Sequence, residues 1–362
     1  MRPSPLLDTV VIAGVGLIGG SIGLGIRERF LAKRVIGLDK NPETLEAALG
    51  MGVVDEIKLS ASNYLEQADL VILAAPVKSN IPLAKSIEPF LGKHTVLTDV
   101  GGVKAEICQE LSHLRFVGGH PMAGSEKSGV LHANAALLEN AVWAITPKPN
   151  SDPATVALLR EFVSHLGARP IKINPEQHDR LVATISHVPY LTAMALTQLI
   201  AEDDDKELMM LLAAGGYRDL TRIASGDPIM SRDMVLGNKM AVKEAIINLQ
   251  NRLKHIQSIL EDPDKLLDNA KLAKQTRDSF PIVKRSLLPA KYEIVIAVPD
   301  KPGQLAIITS ALGKAEVNIK DIEVLGIREQ GGAVRIAFND APQQKRGIQT
   351  LANAGYEVVT RR

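Results

Sequence analysis

The chain has 362 residues, enough for two or three domains, and its 46% hydrophobic and 23% charged residues exclude a disordered or collagen-like chain. Its 42 Lys and Arg against 41 Asp and Glu leave a net charge of +1, so no global field favours nucleic acid or an anionic membrane. A single cysteine, Cys108, excludes an internal disulfide, no Cys/His cluster has zinc-site spacing, and no run approaches the roughly 18 apolar residues of a bilayer span.

Met1 to Asp8 lack the charged and apolar regions of a secretory leader, and a lone thiol suits a reducing compartment, so a cytoplasmic location is expected. From there to about residue 173, short β-branched runs alternate with helical patterns: Thr9 to Ala13, Arg34 to Leu38, Leu70 to Ala74, Thr95 to Thr98, Phe116 to Gly118, Val142 to Thr146 and Pro170 to Ile173. Strands separated by helices predict βαβ units and a parallel sheet covered on both faces. From residue 174 to about 283 the texture is helical, with apolar residues repeating at three and four, as in Leu181, Ile185, Val188, Leu191 and again in Ile246, Leu249, Leu253, Ile256. Asp278 to Ala290, with two prolines and a basic pair, is expected to be a linker. A third domain, residues 290–362, then reads as strand, helix, a hairpin around Glu329-Gln330-Gly331-Gly332, helix and strand. That βαββαβ order is a ferredoxin-like α+β plan.

Gly14-Val15-Gly16-Leu17-Ile18-Gly19 follows a predicted strand and opens a predicted helix, the context that gives the GxGxxG pattern meaning. Its glycines permit a tight turn and close approach to a pyrophosphate, which the helix N-terminus attracts. Asp39 lies 20 residues past Gly19, where a carboxylate accepts from ribose hydroxyls and repels a 2′-phosphate, pointing to NAD, although Lys40 beside it blunts that preference. Residues 1–173 are therefore expected to be a Rossmann-type domain. Ala75-Pro76 and Asp99 sit at carboxyl ends of strands, where open sheets bind ligands; Asp99 equally suits a cap for the helix beginning near Lys104.

His120 stands in Gly118-Gly119-His120-Pro121-Met122-Ala123-Gly124-Ser125-Glu126, after a strand and among glycines, a loop histidine placed to accept a hydroxyl proton during hydride transfer. The bland alternative is a loop histidine bonded to backbone. His178 and His187 are nine residues apart, about two and a half α-helical turns, so on one helix they face opposite sides. His187 is expected at the pocket, sharing a face with Tyr190 and Met194, although a buried structural histidine bonded to backbone suits it nearly as well, and that second reading is the one expected for His178.

These motifs, with Ser186-His187-Val188-Pro189 and Gly215-Gly216-Tyr217-Arg218-Asp219-Leu220-Thr221-Arg222, resemble the prephenate dehydrogenase family. The tail, with Asp300-Lys301-Pro302-Gly303 opening a helix and Val317-Asn318-Ile319 after it, resembles an ACT domain, an amino-acid-sensing module. The resemblance implies NAD-dependent oxidative decarboxylation of prephenate to 4-hydroxyphenylpyruvate in tyrosine biosynthesis, without a metal. It implies that His120 deprotonates the 4-hydroxyl with Arg222 and His187 as further catalytic residues, and that Gly14, Gly16, Leu17, Ile18, Gly19, Asp39, Ala75, Pro76 and Asp99 hold the cofactor. Substrate contacts fall to Ser125, Glu126, Tyr190, Gly215, Asp219 and Arg222. The two acids among them resemble partners that gate the arginine, although Asp219 and Arg222, three apart on a helix, also suit an ordinary surface ion pair. The helical domain is expected to form a homodimer, and Asp300, Gly303 and Asn318 to bind an amino-acid effector such as tyrosine.

Three positions depart from the family pattern: Gly102 where serine is frequent, Tyr190 where some relatives carry histidine, and Ser231 where tryptophan often stands. They bear on the choice between prephenate and arogenate. Arogenate dehydrogenase is the nearest competing reading; a hydroxyacid dehydrogenase of another pathway and a non-catalytic sensor of NAD and an amino acid stand further away.

Overall fold

A computed structural model describes residues 4–123, 127–280, 292–299, 301–328 and 331–360. It divides into two units, Met1–Phe280 and Pro281–Arg362.

The first unit begins with β1 (Leu7–Ala13), α1 (Leu17–Glu28), β2 (Ala32–Leu38), α2 (Pro42–Gly50), β3 (Glu56–Lys58), β4 (Leu70–Leu73), α3 (Val77–Ile87), β5 (Val96–Asp99) and α4 (Ala105–Glu110). Its five strands are parallel in the order β3-β2-β1-β4-β5. Val10 to Ala13 and Leu70 to Leu73 are wholly buried, as parallel strands covered on both faces must be. Ile22 and Ile26 of α1 pack on one side of the sheet, and Ala84 and Ile87 of α3 with Ile107 of α4 on the other. The order reverses between β1 and β4, and there the carboxyl ends of the strands open a crevice.

The remaining strands depart from the expected single sheet. β6 (Gly118–Pro121), β7 (Val142–Thr146) and β8 (Arg169–Lys172), with α5 (Pro153–His165) between the last two, form a separate three-stranded sheet in which β6 runs antiparallel to β7. Phe116 starts as a parallel neighbour of Leu97, but the pairing ends after that bridge. The chain then crosses β5 at Gly119, where a Cβ would lie 2.6 Å from the Asp99 carbonyl oxygen and 2.8 Å from the Trp143 indole nitrogen. This close crossing redirects β6 onto β7 and sets His120 beside the end of β5. The short strand β3 was absent from the expected elements, since three half-buried residues carry no periodic signal.

The helical region comprises α6 (Pro175–Val182), a π-helical turn Ala183–His187, α7 (Val188–Ala201), α8 (Lys206–Leu212), α9 (Gly215–Thr221), a 3₁₀ turn Arg222–Ser225, α10 (Pro228–Gly237), α11 (Lys239–Ser258) and α12 (Pro263–Asp278). Local chemistry starts many of the helices. Asn41, Asp152, Asn174, Asp227 and Asp262 each cap a helix by accepting from backbone amides, and each is followed by a proline at the first helical position. The interior of this region is small, centred on Ala183, Val188, Val242 and Ala245. Leu211 and Met240 are 80% and 78% exposed, and Leu199, Leu212 and Ile229 are exposed beside them in sequence or on neighbouring helices.

The second unit contains β9 (Tyr292–Val298), α13 (Gln304–Lys314), β10 (Asp321–Arg328), β11 (Gly331–Phe338), α14 (Ala341–Asn353) and β12 (Val358–Thr360), with an antiparallel sheet in the order β10-β11-β9-β12. Ile294, Ile296, Val334, Ile336 and Phe338 alternate onto one face and pack with Ile308, Leu312 and Leu351 of the helices. Most of the expected linker, and the tip of the expected hairpin at Glu329 and Gln330, lie outside the described residues.

Candidate active site

The crevice at the reversal point is a cleft of about 600 Å³ lined by Gly14, Gly16, Asp39, Ala75, Pro76 and Phe90, among others. Gly14 has φ +99°, and a Cβ there would lie 2.6 Å from the backbone of Ala74 and Ala75. Only glycine makes that turn without strain. Gly16 caps α1 with no side-chain acceptor, and a Cβ on it would meet nothing within 4 Å. The first amides of α1 therefore face the crevice without a side-chain cap, unlike those of the Asn- and Asp-capped helices, and suit an anionic phosphate. Leu17 and Ile18 are half-buried in that first turn. Asp39 is tethered by two backbone donors, Val15 N to Oδ2 and Asn41 N to Oδ1, both at 3.0 Å. Its remaining lone pairs suit ribose hydroxyls. These residues fit a dinucleotide.

Asp99 stands differently. It is 1% exposed, with Oδ1 accepting from Gly119 N at 3.2 Å and Oδ2 from Gly101 N at 2.8 Å and from the ammonium of Lys104, itself fully buried. Buried and ion-paired with Lys104, it holds the loop after β5 against β6 and is not among the residues that line the cofactor cleft. Nor does it cap α4: Lys104 N and Ala105 N both donate to the Asp179 carboxylate at 2.8 Å. Both expectations for Asp99 are thereby corrected, because the buried ammonium of Lys104 needs a counter-ion.

On β6, His120 Nδ1 lies 2.9 Å from His178 Nε2, and His178 Nδ1 lies 2.8 Å from Asp179 Oδ1. His120 Nε2 has no hydrogen-bond partner among the described residues, and a Cβ on Gly102 would lie 3.8 Å from it. His187, fully buried, faces Asn238 Nδ2 at 3.3 Å through Nδ1, while Asn238 Nδ2 also donates to the Asp179 carbonyl at 2.7 Å. His187 Nε2 is buried without a partner among the described residues. Burial, reinforced by His178, Lys104 and His187, drives the His120 imidazole well below its ordinary range. Burial also pushes His187 down to about 4, against the raising influence of Asp179 and with a further push from His178. Both rings are therefore neutral at physiological pH, and a neutral imidazole accepts a proton.

The expectation that His178 is a backbone-bonded bystander facing away from His187 is corrected. The intervening turn Ala183–His187 is π-helical. Nine α-helical residues rotate about 900°, half a turn out of phase, and the extra residue of a π turn takes back about 100°. Both histidines consequently reach the same buried region, and His178 is the one that touches His120.

Other expected residues stand apart from this cluster. Tyr190 is half-buried at the start of α7, while Gly215, Asp219 and Arg222 are exposed on α9 and the 3₁₀ turn after it, which packs against α7 through the Tyr217 hydroxyl donating to Leu196 O at 2.8 Å. Asp219 and Arg222 make no ion pair with each other or with other described residues, because α9 ends at Thr221 and Arg222 belongs to the tighter turn. Ser125, Glu126 and Asp300 lie outside the described residues. In the second unit Gly303 caps α13 with φ +84°, and Asn318 N donates to Gln343 Oε1 at 3.2 Å. His178, Asp179, Lys104 and Asn238 were missed. The adjacent His178-Asp179 pair just after an Asn-Pro helix start was the one sequence signal for them.

The family model described as "Prephenate dehydrogenase, nucleotide-binding domain" matches residues 22–172, and "Prephenate dehydrogenase, dimerization domain" matches residues 174–274. The chain is 36% identical to the prephenate dehydrogenase of Bacillus subtilis, across 97% of each chain, and 31% identical to that of Lactococcus lactis, across 96% of this chain and 98% of the relative. A prephenate dehydrogenase structure from Aquifex aeolicus in complex with hydroxyphenyl propionate and NAD+ superposes with a TM-score of 0.72 at 32% identity, covering 76% of this chain and 98% of that one. A Synechocystis arogenate dehydrogenase superposes at 0.69 and 29% identity, covering 75% and 100%.

Proposed function

The chain belongs to the prephenate dehydrogenase family, and from that premise we propose that it catalyses the NAD-dependent oxidative decarboxylation of prephenate to 4-hydroxyphenylpyruvate. The carrying observation is His120, whose Nε2 has no hydrogen-bond partner among the described residues and lies beside the loop that follows β5. NAD, when bound, supplies the hydride acceptor. The glycine turn and Asp39 hold and orient it. His120 takes the 4-hydroxyl proton as ring carbon 4 becomes a carbonyl, and returns a proton to that oxygen when loss of the ring carboxylate as carbon dioxide makes the ring aromatic. Arg222, exposed and unpaired among the described residues, offers a bidentate fork to a substrate carboxylate, and Asp219, Gly215 and Tyr190, with Ser125 and Glu126 by resemblance, are taken as further substrate-binding residues. His187 keeps its catalytic assignment as a neutral group beside His120.

The exposed apolar side chains of the helical region support a homodimer, whose isologous contact would cover them. We place the domains at residues 1–173, 174–283 and 290–362, and assign the last as an ACT domain on its βαββαβ order, with tyrosine as effector at Asp300, Gly303 and Asn318. Among the described residues no helix is long and apolar enough to cross a membrane, which accords with a cytoplasmic enzyme.

NADH formation with prephenate, and separately with arogenate, tests the reading. Prephenate turnover is expected, falling by roughly 10²- to 10⁴-fold in His120→Asn while NAD affinity is retained. Full turnover in that variant would remove His120 from the reaction. Turnover with arogenate alone would reassign the substrate and point to Tyr190 and Ser231.

A further inference from the structure

A base that accepts a hydroxyl proton through Nε2 needs that nitrogen bare, yet a neutral imidazole can carry its proton on either nitrogen. The surroundings of His120 decide which, beginning from donors that cannot change. The backbone amides of Lys104 and Ala105, at the start of α4, direct their hydrogens to the two oxygens of Asp179 at 2.8 Å. A carboxylate held this way only accepts. The 2.8 Å contact between Asp179 Oδ1 and His178 Nδ1 therefore has the histidine as donor, which in the neutral ring leaves His178 Nε2 as a lone pair. That lone pair faces His120 Nδ1 at 2.9 Å, with the two rings edge-on at 72°. His120 must then donate from Nδ1, and its bare nitrogen is Nε2.

We propose that Asp179, acting through His178, fixes His120 in the tautomer protonated on Nδ1, making Asp179 and His178 positioning residues of the reaction. The proposal rests on the reading of His120 as the base, and it adds a polarity to the site: three side chains and two backbone amides, from β6, α6 and α4, align so that each proton points towards Asp179. The other charged and titratable groups packed around His120 leave this order intact. The Lys104 ammonium is engaged by Asp99, and His187 bonds towards Asn238. A hydrogen bond to a carboxylate is strong enough to favour one imidazole tautomer by roughly tenfold or more. Because Asp179 and His178 are 4% and 1% exposed, solvent does not compete for the chain.

Nitrogen NMR of the ¹⁵N-histidine-labelled full-length protein, without substrate and at neutral pH, reads the tautomers directly, with His120 and His178 assigned by single substitution. The expected spectrum of the unsubstituted protein shows both rings protonated on Nδ1 and bare on Nε2. In Asp179→Ala, His120 should acquire a population protonated on Nε2, with turnover falling roughly 10²- to 10⁴-fold and little change in KM or NAD affinity. A second variant, His178→Phe, removes the acceptor without touching the α4 amides and should produce the same redistribution, so a poorly folded Asp179→Ala does not leave the question open. His120 protonated on Nε2 in the unsubstituted protein would overturn the proposal, as would an unchanged tautomer in the folded variants. The spectrum stands independently of turnover: activity retained in His120→Asn would overturn the base assignment, whereas the tautomer result tests the positioning alone.

Discussion

The two halves of the candidate site are built in opposite ways. The cofactor half is contiguous: a strand, a glycine turn, a helix and the next strand place Gly14, Gly16 and Asp39 within 26 consecutive residues, and Asp39 bonds back to Val15. The proton-accepting half is assembled from β6, the end of β5, α4, α6, a π turn and the start of α11. Backbone geometry dominates the first half, and burial with hydrogen-bond partnership dominates the second. Contiguous sites tolerate distant change and fail at single backbone positions; assembled sites carry their function in contacts that cross the fold.

That contrast can be broken or sharpened by substitution. Gly14→Val should have the largest effect, since the positive φ and the 2.6 Å approach of Ala74 and Ala75 combine strain with overpacking at a cost of about 3 kcal/mol or more, seen as a lowered Tm together with lost NAD binding. Gly16→Val separates the two consequences. Its φ of −86° suits valine and its Cβ meets nothing, so stability should hold within about 0.5 kcal/mol while NAD affinity, measured by titration, falls at least about tenfold. Equal losses of Tm in the two variants would mean that the turn is not specialised for a ligand.

The assembled half should instead reveal itself through pH. His187 titrates near pH 6.5 in the unfolded chain and near 4 in the folded one, chiefly through burial, so between those values the unfolded chain binds more protons. Stability is therefore fully present above about pH 6.5 and declines as pH falls towards 4; His120 acts in the same direction. Thermal unfolding followed from pH 7 to 4 should show this decline, shallower in His187→Gln. A parallel slope in that variant would assign the loss to other groups. The smallest effect is expected for Gly102→Ser, whose Cβ would sit in ordinary contact 3.8 Å from His120 Nε2. Tm should be unchanged, and kcat/KM should rise about fivefold if the new hydroxyl bonds the substrate, the worth of one net hydrogen bond of about 1 kcal/mol, whereas a fall would mean that it occupies the Nε2 lone pair instead.

Legibility followed the same divide. Asn-Pro and Asp-Pro starts, β-branched strands and the glycine turn act over a few residues, so α2, α5, α6, α10 and α12 announce their beginnings and the cofactor crevice can be located without coordinates. His120 stood out because glycines and a proline surround it. His178 did not, because an ideal helical wheel puts it opposite His187, and the π turn that changes this phase packs against α11, far along the chain. Asp99 likewise read as a ligand or a cap until the buried ammonium of Lys104 occupied it.

The sequence by itself determined the α/β, helical and βαββαβ segments and the position of the glycine turn, since periodicity and turn chemistry are properties of neighbouring residues. Only the tertiary structure decided that β6 leaves the parallel sheet, that Asp179 and not Asp99 caps α4, and that His178 lies against His120. Those outcomes depend on which polar groups find partners once water is removed, and such partners lie 58 and 75 residues apart in the chain.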